Sequence, residues 1–151
     1  MIIEFLNFQI DVFDMLISGL GIILYIAAGI SDWKKRVIPN YAPLLLFVLG
    51  LVKTILFYQP YTLFLSIAGF IIPSVIIIIG YHLGKNVGGG DLKIMAATGF
   101  LFGLINICFI LLPTFIFGTV YSAVKRESVV PLGTFLAVGV VIYYISYIIW
   151  S

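Results

Sequence analysis

Two aspartates stand where long apolar stretches meet short polar turns. Asp32 opens the segment Asp32-Trp33-Lys34-Lys35-Arg36-Val37-Ile38-Pro39-Asn40, and Asp91 closes Gly88-Gly89-Gly90-Asp91 ahead of Leu92-Lys93. An ionisable side chain at membrane depth is costly enough to be a functional hypothesis by default. Two carboxylates that share one proton can hydrolyse a peptide bond without a metal or a covalent nucleophile. The ionised partner takes a proton from the attacking water, while the protonated partner hydrogen-bonds to the carbonyl oxygen. Close like charges disfavour double ionisation, so the titration belongs to the pair. The glycines before Asp91 let a substrate backbone lie extended beside the acid, because residues without side chains permit close approach.

The same residues also have purely structural readings. The glycine run is then a flexible turn, and Asp91 caps the helix it begins, where a carboxylate is favoured. Asp32 is then a solvated acid paired with Lys34, Lys35 or Arg36, and Pro39-Asn40 is a turn with an N-cap for the next helix. The remaining polar residues offer less. His82 is the only histidine, which makes histidine-dependent nucleophilic sites improbable. Cys108 is the only cysteine, which excludes an intrachain disulfide and a Cys-x-x-Cys metal site and leaves a small packing residue. Glu127 belongs to a solvated turn, Asn106 marks an outer turn, and Gly99 and Gly103 are spaced like a helix-packing face.

The elements that carry the two acids follow from composition. Hydrophobic residues make up 63% of the 151 and charged residues 9%, with a mean hydropathy of +1.25, so the chain reads as an integral membrane protein. That length holds roughly five to seven helices of about 20 residues and leaves no room for a separate extramembrane domain. Residues 1–151 are therefore expected to form one membrane-embedded domain. A formal charge of +2, with the basic residues confined to turns, sets nucleic acid aside. Glu4, Asp11 and Asp14 precede the first apolar run with no Lys or Arg, so a cleavable signal peptide is not expected.

Residues 15–31 read as a first span ending at Asp32, and 41–57 as a second. The turn Tyr58-Gln59-Pro60 leads to a third, 61–82, in which Gly69 and Pro73 suggest a kink rather than a break. The loop from Lys85 to Gly90 follows. Leu92 to Val124 is too long for one crossing of a core about 30 Å thick, and 103–106 is the place to divide it. A last span runs from Pro131 to Trp150. The expected fold is all-α and polytopic, with about six transmembrane helices. The division puts Lys34, Lys35, Arg36, Lys85, Lys93, Lys125 and Arg126 on one face, which the positive-inside rule makes cytoplasmic. Lys53 is the exception and can snorkel to the opposite interface. Both termini are then outside. Two crossings separate Asp32 from Asp91, so both acids lie at the cytoplasmic face. A small proton-coupled transporter using the acids as a relay is the alternative from another class, although acids at one face rather than at the midplane disfavour it. A noncatalytic assembly subunit would leave the acids unexplained.

Together these segments resemble the type IV prepilin peptidases, the G-x-G-D membrane aspartyl proteases, and in particular their short Tad/Flp-like forms. Gly88-Gly89-Gly90-Asp91-Leu92-Lys93 is similar to the second catalytic motif, and Asp32 with its basic stretch and Ile38-Pro39-Asn40 to the first. Pro131-Leu132-Gly133-Thr134-Phe135-Leu136 resembles the opening of the last helix, with Thr134 where many relatives have proline. The resemblance implies Asp32 and Asp91 as the catalytic pair, with Gly88, Gly89, Gly90 and Lys93 in substrate binding. It further implies a multi-pass protein of a prokaryotic cytoplasmic membrane. Its substrate would be a prepilin or pseudopilin, cut after a glycine and before the apolar segment. Long relatives carry an extra domain associated with N-methylation, often with paired Cys-x-x-Cys motifs. Proteolysis without methylation, cofactor or metal is expected here.

Overall fold

The structure is a computed structural model that describes residues 2–56, 60–82, 88–126 and 130–150. Those residues form α1 (Ile2–Lys35), α2 (Tyr41–Leu56), α3 (Pro60–His82), α4 (Gly89–Lys125) and α5 (Leu132–Trp150). Residues 58–59 of the expected turn, 85–87 of the expected loop, and Glu127 lie outside the described residues. Three helices are long and apolar enough to cross a membrane, α3 (over Pro60–Ile79), α4 and α5, and α2 is a shorter apolar helix. Many large apolar side chains point away from the interior, Ile55, Phe64, Phe109 and Ile148 among them, as a lipid-facing surface requires.

Helix boundaries fall where local chemistry places them. Arg36 adopts a left-handed φ of 53° after α1, and its amide bonds back to the Asp32 carbonyl at 2.9 Å. Pro60 stands first in α3, where a missing amide hydrogen costs nothing. Pro131 immediately precedes α5 and supplies its carbonyl to the Thr134 amide at 3.2 Å.

Five helices replace the six expected, because helical pairing continues through the point chosen for division. The break survives as a single non-helical residue, Gly103, with φ 77° and ψ 167°. Glycine reaches that φ without the steric cost a side chain imposes. A straight helix would hold Asp91 and Tyr121 about 45 Å apart at 1.5 Å per residue. Instead both ends of α4 reach the segment after α1. A Cβ added to Gly90 would lie 3.2 Å from Ile38 Cβ, and Arg36 donates to the Tyr121 hydroxyl at 3.1 Å. Ile107 also lies against Gly99, eight residues earlier in the chain. The chain thus doubles back at Gly103 into two limbs, 89–102 and 104–125, and the Asn106 amide donates to the Phe102 carbonyl beside the bend at 2.9 Å.

The first limb packs on α3 backbone to backbone. The Gly69 carbonyl occupies the space where Gly99 would carry a side chain, and the Gly99 carbonyl does the same to Gly69. Pro73 explains why the Gly69 oxygen is free to do so: proline has no amide hydrogen to give the carbonyl four residues earlier. A weak Cα–H···O contact takes its place. Gly99 therefore serves the packing role expected of it, whereas Gly103 makes the bend. At the centre of the bundle Tyr25 donates to Thr98 at 2.8 Å, among fully buried Leu46, Ile94, Leu136 and Val140. This hydrogen bond joins α1 to the first limb, seven residues from each acid.

Candidate active site

Asp32 lies in the last turn of α1 and is only 5% exposed. Its Oδ2 accepts the Gly133 amide at 2.8 Å. Pro131 has no side-chain acceptor to cap α5, so a carboxylate 101 residues away caps it through space. The contact depends on glycine: a Cβ at position 133 would lie 3.1 Å from that oxygen and 3.0 Å from Ile38 Cδ1. The Thr134 hydroxyl donates to the Gly29 carbonyl at 2.8 Å, a bond that proline at this position would not provide. Burial opposes charge on Asp32, while the Gly133 and Thr134 amides and the Arg36 charge favour it. The carboxylate is thus turned inward onto α5 rather than out to a lysine. Arg36 bonds to Tyr121 and sits 6.0 Å from the centroid of its ring, and Trp33 meets that ring edge-on at 5.6 Å.

Asp91 lies in the first turn of α4 and is half-buried. Its Oδ2 accepts the Gly88 amide at 3.1 Å, so the acid does serve the helix start, from the third helical position back to the N-cap residue. One oxygen is used in this way. Burial and the Asp32 charge oppose charge on Asp91, and the Gly88 amide favours it.

Two contacts lock the segments together. Ile38 is wedged between Gly90 beside one acid and Gly133 beside the other. The Lys93 ammonium donates to Asn40 Oδ1 at 3.0 Å, tying the start of α4 to the turn before α2. The expected N-cap residue of α2 thus spends its side chain on α4.

Asp32, Asp91, Gly88, Gly89 and Gly90 line one cavity of about 390 Å³, together with Arg36 and Asn40. These expected site residues are thereby brought together at one end of the bundle. Lys93 is not on that cavity; it lines an adjoining apolar groove between α2, α3 and α4. Gly133, Thr134 and Ile38 act on the acids without having been expected to. Their only sequence signal was the Pro131-Leu132-Gly133-Thr134 helix opening, which does not reveal what the helix start binds. His82 is exposed at the end of α3, and Cys108 is exposed on α4 rather than packed.

Long apolar helices with a polar, acid-lined cavity at one end define a membrane protein of the kind that encloses its chemistry within a bundle. Residues 19–123, well over half of the chain, match the type IV leader peptidase family, and the protein belongs to that family, a family of peptidases. No curated protein and no solved structure matches it.

Proposed function

We propose that the protein is an aspartyl endopeptidase that removes leader peptides from type IV prepilin-like proteins, including Flp-type pilins. The observation that carries this reading is the single cavity lined by Asp32, Asp91 and the three glycines. Six crossings place the cavity at the cytoplasmic face of a prokaryotic cytoplasmic membrane, with both termini outside and one peptidase domain over residues 1–151. The reversal at Gly103 and the basic residues at the cavity's end of the bundle support that count.

In this reading Asp32 is the ionised partner, since the amides at the start of α5 and the Arg36 charge favour its negative form. Asp91 faces that charge and keeps the shared proton. Water gives a proton to Asp32 as its oxygen bonds to the scissile carbonyl carbon, and the carbonyl oxygen takes the proton of Asp91. The resulting diol collapses: the carbon–nitrogen bond breaks, the amine leaves with the proton from Asp32, and a diol hydroxyl returns its proton to Asp91. Gly88, Gly89 and Gly90 admit the extended substrate backbone, and Lys93 holds the start of α4 in place at its edge. No cofactor or metal enters any step, and methyl transfer is not part of the activity.

Co-expression with a prepilin tests the reading, with loss of the leader followed as a mass shift. Cleavage is expected with the wild type and not with Asp32→Ala or Asp91→Ala. Full-rate cleavage by both variants would overturn the assignment.

A further inference from the structure

The apolar groove beside the acids has a volume of about 540 Å³ and is walled by Leu44 and Phe47 of α2, Phe70 and Ile78 of α3, and Ala96 and Ala97 of α4. It begins within a turn of Asp91, since Leu92 and Lys93 also line it, and it meets the catalytic cavity at Asn40, which lines both. From Asn40 to Phe47 it runs about 10 Å along α2, or two helical turns. Its far end is closed by aromatic packing: Phe47 stacks on Phe100 at 4.8 Å and on Phe70 at 5.9 Å. Alanines at positions 96 and 97 leave the room that larger side chains would fill.

We propose that this groove holds the apolar helical segment of the peptide substrate, seating its first two turns so that the adjoining extended residues reach Asp32 and Asp91. The inference rests on the peptidase reading above and names what its site selects. The mouth of the groove identifies the occupant. Asn40 Oδ1 accepts one hydrogen bond from Lys93 and retains a second lone pair. A lipid acyl chain offers that oxygen nothing. The start of a helix offers amide hydrogens that have no partner within the helix and that need one where water is scarce. An apolar helix starting at Asn40 meets both requirements, with side chains for the groove and a donor for its rim. The selected substrate is therefore a membrane-borne peptide with its scissile bond just before an apolar helix, not a soluble loop.

Photo-crosslinking in phosphatidylethanolamine–phosphatidylglycerol vesicles tests this. The probe is a synthetic peptide in which a basic, glycine-ended leader precedes an apolar helix of about 20 residues. A benzophenone-bearing phenylalanine replaces Leu44 or Ile78 in the groove, or the exposed control residues Val124 or Ile148, which line neither cavity. The background is Asp91→Asn, so that the peptide is held uncut. Peptide adducts at Leu44 and Ile78 are expected about tenfold above the controls, the margin that filling an apolar pocket gives. They should map to the first turns of the apolar helix. Lipid adducts alone, or equal yields at all four positions, overturn the groove. Cleavage of the same peptide by the protein with native Asp91 is scored in parallel. Cleavage with adducts outside the groove defeats the groove and leaves the peptidase standing, whereas no cleavage defeats the peptidase reading and the groove with it.

Discussion

Asp32 has two separable duties, and substitution distinguishes them. Its carboxylate caps α5 through the Gly133 amide, and in the proposed reaction it also takes the water's proton. Asp32→Asn keeps a side-chain oxygen for the amide, so folding stability should hold while cleavage is lost. Asp32→Ala removes the cap as well and should cost about 1 kcal/mol more, read as a lower thermal midpoint in detergent. A role confined to capping would instead leave Asp32→Asn active. The shared proton also fixes the shape of the pH profile. Activity should fall in acid, where both carboxyls are protonated, and again as pH rises, where both are ionised. A rate that rises to a plateau with pH would mean that only one ionisation matters.

Among the elements, the turn between α1 and α2 and the start of α5 set the distance between the acids. Gly133→Ala would drive a methyl group into both Ile38 and the Asp32 carboxylate. It should lower kcat by about tenfold or more, the scale of an ångström-level misplacement, with KM nearly unchanged in a leader-cleavage assay. At the packing contact of α3 and α4, Gly99→Ala sets a methyl group on the Gly69 carbonyl. Helix separation should then cost about 1–3 kcal/mol in unfolding experiments, with the acids untouched. These two glycines were not equally legible. Gly99 announced itself by its spacing from Gly103, a pattern local to one helix. Gly133 could be placed at a helix start, but its contact with Asp32 joins residues 101 apart, and no local pattern encodes such a contact. Asp91 was legible for the opposite reason, because its glycines, its hydrogen bond and its helix all lie within a few residues.

For the whole molecule, the number of crossings depends on one residue. The length of Leu92–Val124 and the distribution of Lys and Arg together required a reversal, and the region selected for it contains Gly103. What length and charge did not reveal is that the helix bends there without unwinding, because a single left-handed glycine and the Asn106 amide satisfy the backbone at the bend. Cysteine accessibility checks the outcome. In a Cys108→Ala background, Val37→Cys and Val124→Cys should react with an impermeant thiol reagent from the cytoplasmic side, and Ile105→Cys from the opposite side. Labelling of Val37→Cys and Val124→Cys from opposite sides would mean that α4 crosses once and would remove Tyr121 from the acids.

The central claim is that Asp32 and Asp91 work as one peptide-cleaving pair, and the most direct test is the leader-cleavage rate of purified protein in lipid vesicles. Asp32→Asn and Asp91→Asn should each lower kcat about a thousandfold, and the double variant should be little worse than either, since groups that act as a unit are not additive. Either single variant cleaving at the wild-type rate would contradict the claim.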